Sequence, residues 1–475
     1  VRRLFIKTII ISIILCNNLH AQWDYSHPIP GTASFNNHSN LFPNNDLDIT
    51  NRNGIPVRES NLINWGEYNN LSSNGDDIVG FTWAQTRKGA MNVFVQLCDL
   101  DGNTLLIENG LQLTNDQWAQ RESCIKYAGN NQWIVGWYDY RREAPCGNPL
   151  DTLNRLHNKP YFYLQKIDRY GNLLWGLNGV SLWNDSRENY VTDLVSDNNG
   201  GCIVVWEDRA NYSYSGQHLG ADGALLWMRD GFQLTENSSD ISKILVYDNE
   251  LYYSWTAIES RIKNIYVQKM NFEGQKLWGD NGVYLSEGYE RNWYPQIIED
   301  ADGGIFVSWI REGLVFRGPL FVDIYLQHLD SNGSILFNEG GICLEQGGGP
   351  IGHYNFNFVN TRVNEFVYSF RREDLTDWTN KIYYQKCQVL DGEIVLGWNN
   401  SESDPKLAKE LSSLMYNKEL YLCNETSVIL VIENEIYKIG FDGILSWNQP
   451  LFIENLSSSF SITLLDDNIC AIESY

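Results

Sequence analysis

A stretch near the middle of the chain, IDRYGNLLWGLNGVSL at residues 167–182, returns three times. It recurs as GADGALLWMRDGFQL (220–234), NFEGQKLWGDNGVYL (271–285) and DSNGSILFNEGGICL (330–344), with weaker copies at 99–113, 389–398 and 441–447. A period of about fifty residues means an array of small units, each burying its faces on its neighbours.

Each unit carries the same signals in the same order. A polar-apolar run such as NYVTDLVSD (189–197) leads to a Gly-rich turn, DNNGG (197–201) or DADGG (300–304). A β-branched and aromatic run follows, CIVVW (202–206), IFVSW (305–309) or WIVGW (133–137). Then comes a run with Gln at a fixed place, YLQKID (163–168), YVQKMN (266–271) or YLQHLD (325–330), and a tight glycine turn opens a short fourth run. Short apolar runs separated by turn residues read as strands joined by hairpins. Four strands per repeat predict a propeller blade and an all-β fold. Residues 405–415 are the one candidate helix.

The turn glycines count the units: Gly54, Gly102, Gly171, Gly223, Gly274, Gly333, Gly392 and Gly443. The second runs end at Trp83, Trp137, Trp206, Trp255, Trp309, Phe370 and Ile432, with an eighth at 469–472. The chain enters the array in mid-unit at 47–57 and reaches its end in mid-unit at 460–472. The two halves are expected to complete one blade, which removes exposed sheet edges. The prediction is a closed propeller of eight four-stranded blades, or seven if the first unit is not a blade, over residues 45–475. Residues 22–44 then form a linker.

Four residues after the turn glycine stand Trp175, Trp227, Trp278, Phe337 and Trp447, with Leu106 and Leu396 elsewhere. Because the row recurs from unit to unit, packing between blades is expected rather than a ligand-stacking groove.

Residues 1–21 read as a signal peptide: Arg2, Arg3 and Lys7 precede an apolar stretch at 9–15, and Ala21 marks the cut. That stretch is short for a membrane span, and no transmembrane segment is expected in the mature chain. The protein is expected to be secreted, periplasmic or at the cell surface. Its formal net charge of −24 disfavours nucleic acid, whose backbone attracts Lys and Arg. Eight cysteines (98, 124, 146, 202, 343, 387, 423 and 470) remain after cleavage, with no CxxC. They are read either as disulfide pairs or as buried thiols. No zinc spacing occurs, and neither metal nor cofactor is implied. Two Asp-Gly stretches, DLDGN (99–103) and DADGG, mimic calcium loops but lack the full ligand pattern and read as ordinary turns.

The spacing D-x-x-G-x-x-x-W at Asp168, Gly171 and Trp175 resembles the tryptophan-docking motif of quinoprotein-like propellers. That resemblance implies the architecture. It does not extend to the cofactor, because no two cysteines are adjacent here. The fuller repeat, VVWEDR (204–209) with a YxQ strand and an NGxxLW turn, is similar to secreted bacterial multi-repeat propellers that use type IX secretion. Such proteins often end in a sorting domain. The chain reaches Tyr475 within a blade, so either a further domain follows or export takes another route. The Asp-box spacing of sialidases does not fit.

Loops carry function more often than strands. The connections after the second strands hold Arg87, Asp139, Arg141, Asp208, Arg209, Arg311 and Arg371, each of these arginines except Arg87 lying close to an acid. A rim of guanidinium groups on an acidic protein would select carboxylate, sulfate or phosphate. Equally, each arginine can pair with a neighbouring acid as a structural network. An insertion at 138–160 overhangs this rim, and ligand binding there is expected to weaken with salt. His218 and His328 stand where Lys166 and Lys269 stand in other repeats, and so do not read as catalytic. Two functions remain open. One is a non-enzymatic scaffold binding a partner such as a polysaccharide or an envelope protein. The other is a hydrolase or lyase acting on an anionic glycan.

Overall fold

The computed structural model describes, with short gaps in connecting loops, residues 70–140, 160–397 and the strands between 405 and 473, together with Ile9–Ile11. The described residues form strands, turns and irregular connections, and no helix.

The strands fall into consecutive antiparallel sheets in which chain order equals spatial order. The first comprises Asn70–Ser73, Ile78–Arg87, Ala90–Asp99 and Leu111–Gln112. The second comprises Gln120–Tyr127, Gln132–Asp139, Tyr161–Asp168 and Val180–Ser181, and the third Asn189–Ser196, Cys202–Asp208, Ser213–Leu219 and Phe232–Thr235. The fourth is built on Glu250–Glu259 and Ile262–Asn271, the fifth on Arg291–Glu299, Ile305–Gly313 and Phe321–Leu329, and the sixth on Ile351–Arg362, Glu365–Asp374 and Thr379–Leu390. The fourth to sixth are joined by single parallel bridges, Lys263 to Arg291 and Val322 to Gly352. A seventh sheet, Lys418–Asn424 to Leu451–Phe452, and a last hairpin, Phe460–Leu465 with Asn468–Glu473, follow. Ile9–Ile11 runs parallel to Cys470–Ile472.

Second strands are buried on both faces. Ile203, Val204 and Val205 have no exposed surface, and neither do Ile134 and Val135. The polar alternation of a one-sided strand is therefore lost in these runs. Each pair of successive sheets encloses one apolar core. One core joins Ile134, Phe162, Leu164 and Trp175 of the second sheet to Leu194, Cys202, Val204 and Leu219 of the third. The next joins Ile203, Val205 and Trp227 to Leu251, Tyr253 and Met270. Similar cores continue to the seventh sheet. First strands lie beside first strands from Asn70–Ser73 to Lys418–Asn424, and Asn70–Ser73 also lies beside Phe460–Leu465. The order is propeller-like.

Two side-chain devices explain the repeat. Gln217 is fully buried; its Oε1 accepts the backbone N–H of His218 at 3.0 Å and of Trp227 at 2.9 Å, while its Nε2 donates to Met228 O at 2.9 Å. Gln96, Gln165, Gln268 and Gln327 repeat this clasp on their own turns. The clasp delivers the aromatic to the next sheet. Trp175 Nε1 donates to Ala221 O at 3.0 Å and Trp227 Nε1 to Phe272 O at 2.8 Å. Gly223 adopts φ +82°, and a Cβ there would meet the Trp175 ring at 2.9 Å. The aromatic row is thus packing between units, as expected.

Among the described residues of the helix expected at 405–415, none is helical. Lys406–Leu411 is a strand pairing antiparallel with Thr379–Leu390, because the long third strand of the sixth sheet offers an unpaired edge beyond Glu393–Leu396. The half-blade expected at 47–57 lies outside the described residues.

Candidate functional site: the rim at the ends of the second strands

Second strands end and third strands begin on one rim. Its aromatic floor is regular. Trp137 stacks on Tyr163 with ring centroids 6.2 Å apart, Trp255 on Tyr266 at 5.5 Å, Trp309 on Tyr325 at 5.9 Å and Phe370 on Tyr383 at 5.7 Å. The glycines just before the short fourth strands close over these rings. A Cβ at Gly282 would meet Trp255 at 2.9 Å, and one at Gly341 would meet Trp309 at 2.7 Å.

The residues singled out from sequence are spread along this rim. Asp139 is fully buried and accepts the Trp137 indole N–H at 2.8 Å, so it holds the floor. Asp208 accepts from Asn211 Nδ2 at 2.7 Å within its own hairpin. Arg311 lies 3.7 Å from the buried Asp323 and 4.0 Å above the centre of the Tyr325 ring. Arg371 and Glu373 approach to 3.4 Å, both largely buried. Arg87 closes its strand opposite Ala90. Arg141, Arg209 and residues 141–159 of the insertion lie outside the described residues.

Arg311 and Arg371 therefore have acids beside them. A guanidinium paired in this way presents little net charge to an anion. Asp323 comes from the third strand, not from the sequence neighbourhood of Arg311, and it also accepts Gly347 N–H at 2.8 Å.

A second cluster was not marked by the sequence. It lies where the first strand of the fifth sheet meets the fourth. Lys263 Nζ sits 3.0 Å from the Trp293 ring centre and 3.2 Å from Ser239 Oγ. Ser239 donates to Asp240 Oδ1 at 2.6 Å; Asp240 Oδ2 accepts Thr256 Oγ1 and Tyr294 N–H, each at 2.9 Å. Burial lowers the Lys263 pKa, opposed by Asp240, with Arg291 lowering it further and Glu312 raising it. Trp293 and Tyr294 stack at 6.1 Å and 27°. Tyr294 is 64% exposed and holds φ +51° immediately before Pro295, inside a bulge between Trp293 and Gln296. Positive φ on a bulky residue is uncommon, and bulges gather where a strand re-aims a side chain. The one sequence signal was the aromatic pair before a proline, WYP, inside an otherwise strand-like run.

On the opposite rim the expected turns are confirmed. Asp300 Oδ1 accepts Asp302 N–H at 2.7 Å and Gly304 N–H at 2.8 Å, and its Oδ2 lies 2.8 Å from His328 Nε2. Asp99 caps its own turn through Asn103. His218 bridges Asp197 at 3.0 Å and Phe272 O at 3.1 Å, while Lys166 Nζ donates to Gly200 O at 2.7 Å and Ala221 O at 3.2 Å. These side chains tie one unit to the next.

No family model matches the chain. A curated relative, glucosamine-6-phosphate deaminase of Staphylococcus epidermidis, is 27% identical over 108 residues, 23% of this chain, and the chain spans 40% of that protein's length. Among solved structures, a protein of unknown function from Dyadobacter fermentans shares 8% identity over 82% of this chain and 92% of its own, with a TM-score of 0.32. An oligogalacturonate lyase in complex with manganese shares 8% over 80% and 75%, TM-score 0.32. An endo-arabinase from Bacteroides thetaiotaomicron shares 11% over 57% and 95%, TM-score 0.30. Among the described residues no helix is long and apolar enough to cross a membrane.

Proposed function

We propose that the chain is an exported, closed propeller of eight blades that binds a glycan on the rim where its second strands end. Closure is supported by the approach of Asn70–Ser73 to Phe460–Leu465 and by the run of eight second strands from Ile78–Arg87 to Asn468–Glu473. The docking of Trp175 and Trp227 on the following sheets supports the tryptophan-docked architecture.

One observation carries the ligand reading: cations held over aromatic rings at the same end of adjacent sheets. Arg311 lies over Tyr325 at 4.0 Å and Lys263 over Trp293 at 3.0 Å. At the second of these the outer ring of the stack, Tyr294, is 64% exposed and offers a flat apolar face beside donors and acceptors, which matches the faces and hydroxyl edges of sugars. The test is a glycan array probed with the purified protein and with a Lys263→Met, Arg311→Ala double variant. Specific binding lost in the variant supports the reading, and no binding at all refutes it.

Turnover of the bound glycan by hydrolysis or lysis is the second reading. It is favoured by two carboxylates beside the Lys263–Trp293 cluster: Asp240, which accepts from Ser239, Thr256 and the Tyr294 N–H, and Glu312, 4.0 Å from Arg291. New reducing ends, or unsaturated products absorbing in the ultraviolet, would establish it.

A further inference from the structure

Tyr294, like Tyr212, is an exposed tyrosine held at positive φ, but Tyr212 stands in a turn whereas Tyr294 stands inside a strand bulge. Its φ of +51° precedes Pro295, and its N–H is bound by Asp240 at 2.9 Å. Residues in sparsely populated backbone regions persist only where the surroundings over-determine them, and they gather at ligand clamps. Here the surroundings are a continuous chain of contacts: Thr256 to Asp240, Asp240 to Ser239, Ser239 to Lys263, and Lys263 to Trp293. That chain anchors the ring pair Trp293–Tyr294 and leaves Tyr294 64% exposed.

We propose that Tyr294 is the stacking floor of a subsite for one uncharged sugar ring, a proposal that rests on the glycan reading above. The positive CH face of a pyranose fits the negative face of an aromatic ring. Its hydroxyl edge finds acceptors and donors nearby in Glu312, Ser239, Lys263 and Arg291. The charges there are balanced. Arg291 lies 4.0 Å from Glu312, and Lys263 feels Asp240 and Glu312 against Arg291. A fixed anion on the ligand would meet those carboxylates, whereas a hydroxyl can donate to an acid and accept from a cation. A protein partner needs several apolar anchors over a broad patch, while this surface offers one ring among polar groups.

The test uses the full chain and calorimetric titration with neutral hexasaccharides of glucose, xylose and mannose, and with hexagalacturonate. Tyr294→Gly removes the ring while suiting the backbone, since glycine adopts positive φ without strain. Tyr294→Phe keeps the ring. The expected result is binding of a neutral hexasaccharide that is unchanged as salt rises to about 0.5 M, since no ion pair is screened. Tyr294→Gly should weaken it about tenfold or more, and Tyr294→Phe should leave it intact. Melting temperatures confirm that both variants fold. If only hexagalacturonate binds, with salt dependence, or if Tyr294→Gly binds as the wild type does, the subsite is wrong and the glycan reading stands. If no glycan binds, both fall.

Discussion

The indole Nε1 of Trp227 donates a 2.8 Å hydrogen bond to the carbonyl oxygen of Phe272, which belongs to the following sheet. Trp175 makes the same bond to Ala221, but Nε1 of Trp278, at the equivalent place, has no partner among the described residues. Replacement by Phe separates packing from hydrogen bonding. Trp175→Phe and Trp227→Phe should each cost about 1 kcal/mol more than Trp278→Phe, the net worth of a hydrogen bond. Truncation of any of the three to Ala should cost about 3–5 kcal/mol, the range for large aromatics in cores. Urea unfolding midpoints measure both, and equal costs for the three Phe variants would discount the indole bonds.

The buried glutamines make a second prediction. Gln268 accepts from Lys269 N and Trp278 N at 3.0 Å each, and donates to Gly279 O at 2.6 Å. Gln268→Leu keeps much of the volume but orphans two buried N–H groups, while the Gly279 carbonyl lies at an exposed turn. The expected loss is about 3 kcal/mol, since each orphaned buried group costs about 1–3. Amide exchange at Trp278 should accelerate in the variant. Unchanged protection there would mean the turn holds itself without the clasp.

Acid sensitivity should come from the rim opposite the candidate site. Burial pushes the Asp197 carboxyl up, but the bond from His218 and the N–H groups of Asn199 and Gly201 outweigh it, so its pKa falls below 3.8. Asp300 behaves alike through His328, Asp302 and Gly304. A carboxylate whose folded pKa is depressed contributes stability above its unfolded value, and that contribution is lost as pH falls through the folded one. Stability should therefore drop below about pH 4, more steeply in the wild type than in an Asp197→Asn, Asp300→Asn variant. Parallel curves would show that other carboxylates govern acid unfolding.

Four described thiols, Cys124, Cys202, Cys343 and Cys387, form no disulfide. Burial pushes Cys124 up to about 12, and Cys202 also rises by burial. The thiolate is the reactive form, so these positions should resist alkylation in the native state and react on unfolding. Peptide mapping after pulse labelling checks this. Rapid native labelling of Cys202 would contradict the burial of the core between the second and third sheets.

What the sequence could reveal follows from what repeats. Trp175, Trp227 and Gln217 recur at fixed spacing because each unit must solve the same packing problem, so strand order and the docking row could be read from spacing. The role of Gln217 could not, since its three partners depend on how the turn folds back over it. At the rim, Arg311 was visible as a charge after a strand. Its partner Asp323 was not, because the pair forms across a hairpin 12 residues apart. Tyr294 was hidden for a different reason. A bulge arises from the pairing register of two strands, and alternation along one strand does not encode it.

The final prediction concerns how the two ends of the array meet. Phe460–Leu465 pairs with Asn468–Glu473 and also lies beside Asn70–Ser73, the first strand of the first complete sheet. Asn70–Ser73 is itself tied onward: Asn70 Oδ1 accepts Ile125 N–H at 3.2 Å and Ser72 Oγ accepts Tyr127 N–H at 2.9 Å in the second sheet. Removing residues 459–475 would therefore leave the first sheet without a neighbour on one side, although its link to the second persists. An uncovered sheet face and edge favour association with other chains. The truncated protein should melt well below the wild type, and light scattering should show association at concentrations where the wild type stays monodisperse. The measurement is decisive because an open array behaves differently. In a linear solenoid each unit contacts only its neighbours, so loss of a terminal unit costs little more than that unit. In a closed ring it opens a second face at the other terminus. A melting temperature within a degree or two of wild type would show that the two termini do not support each other.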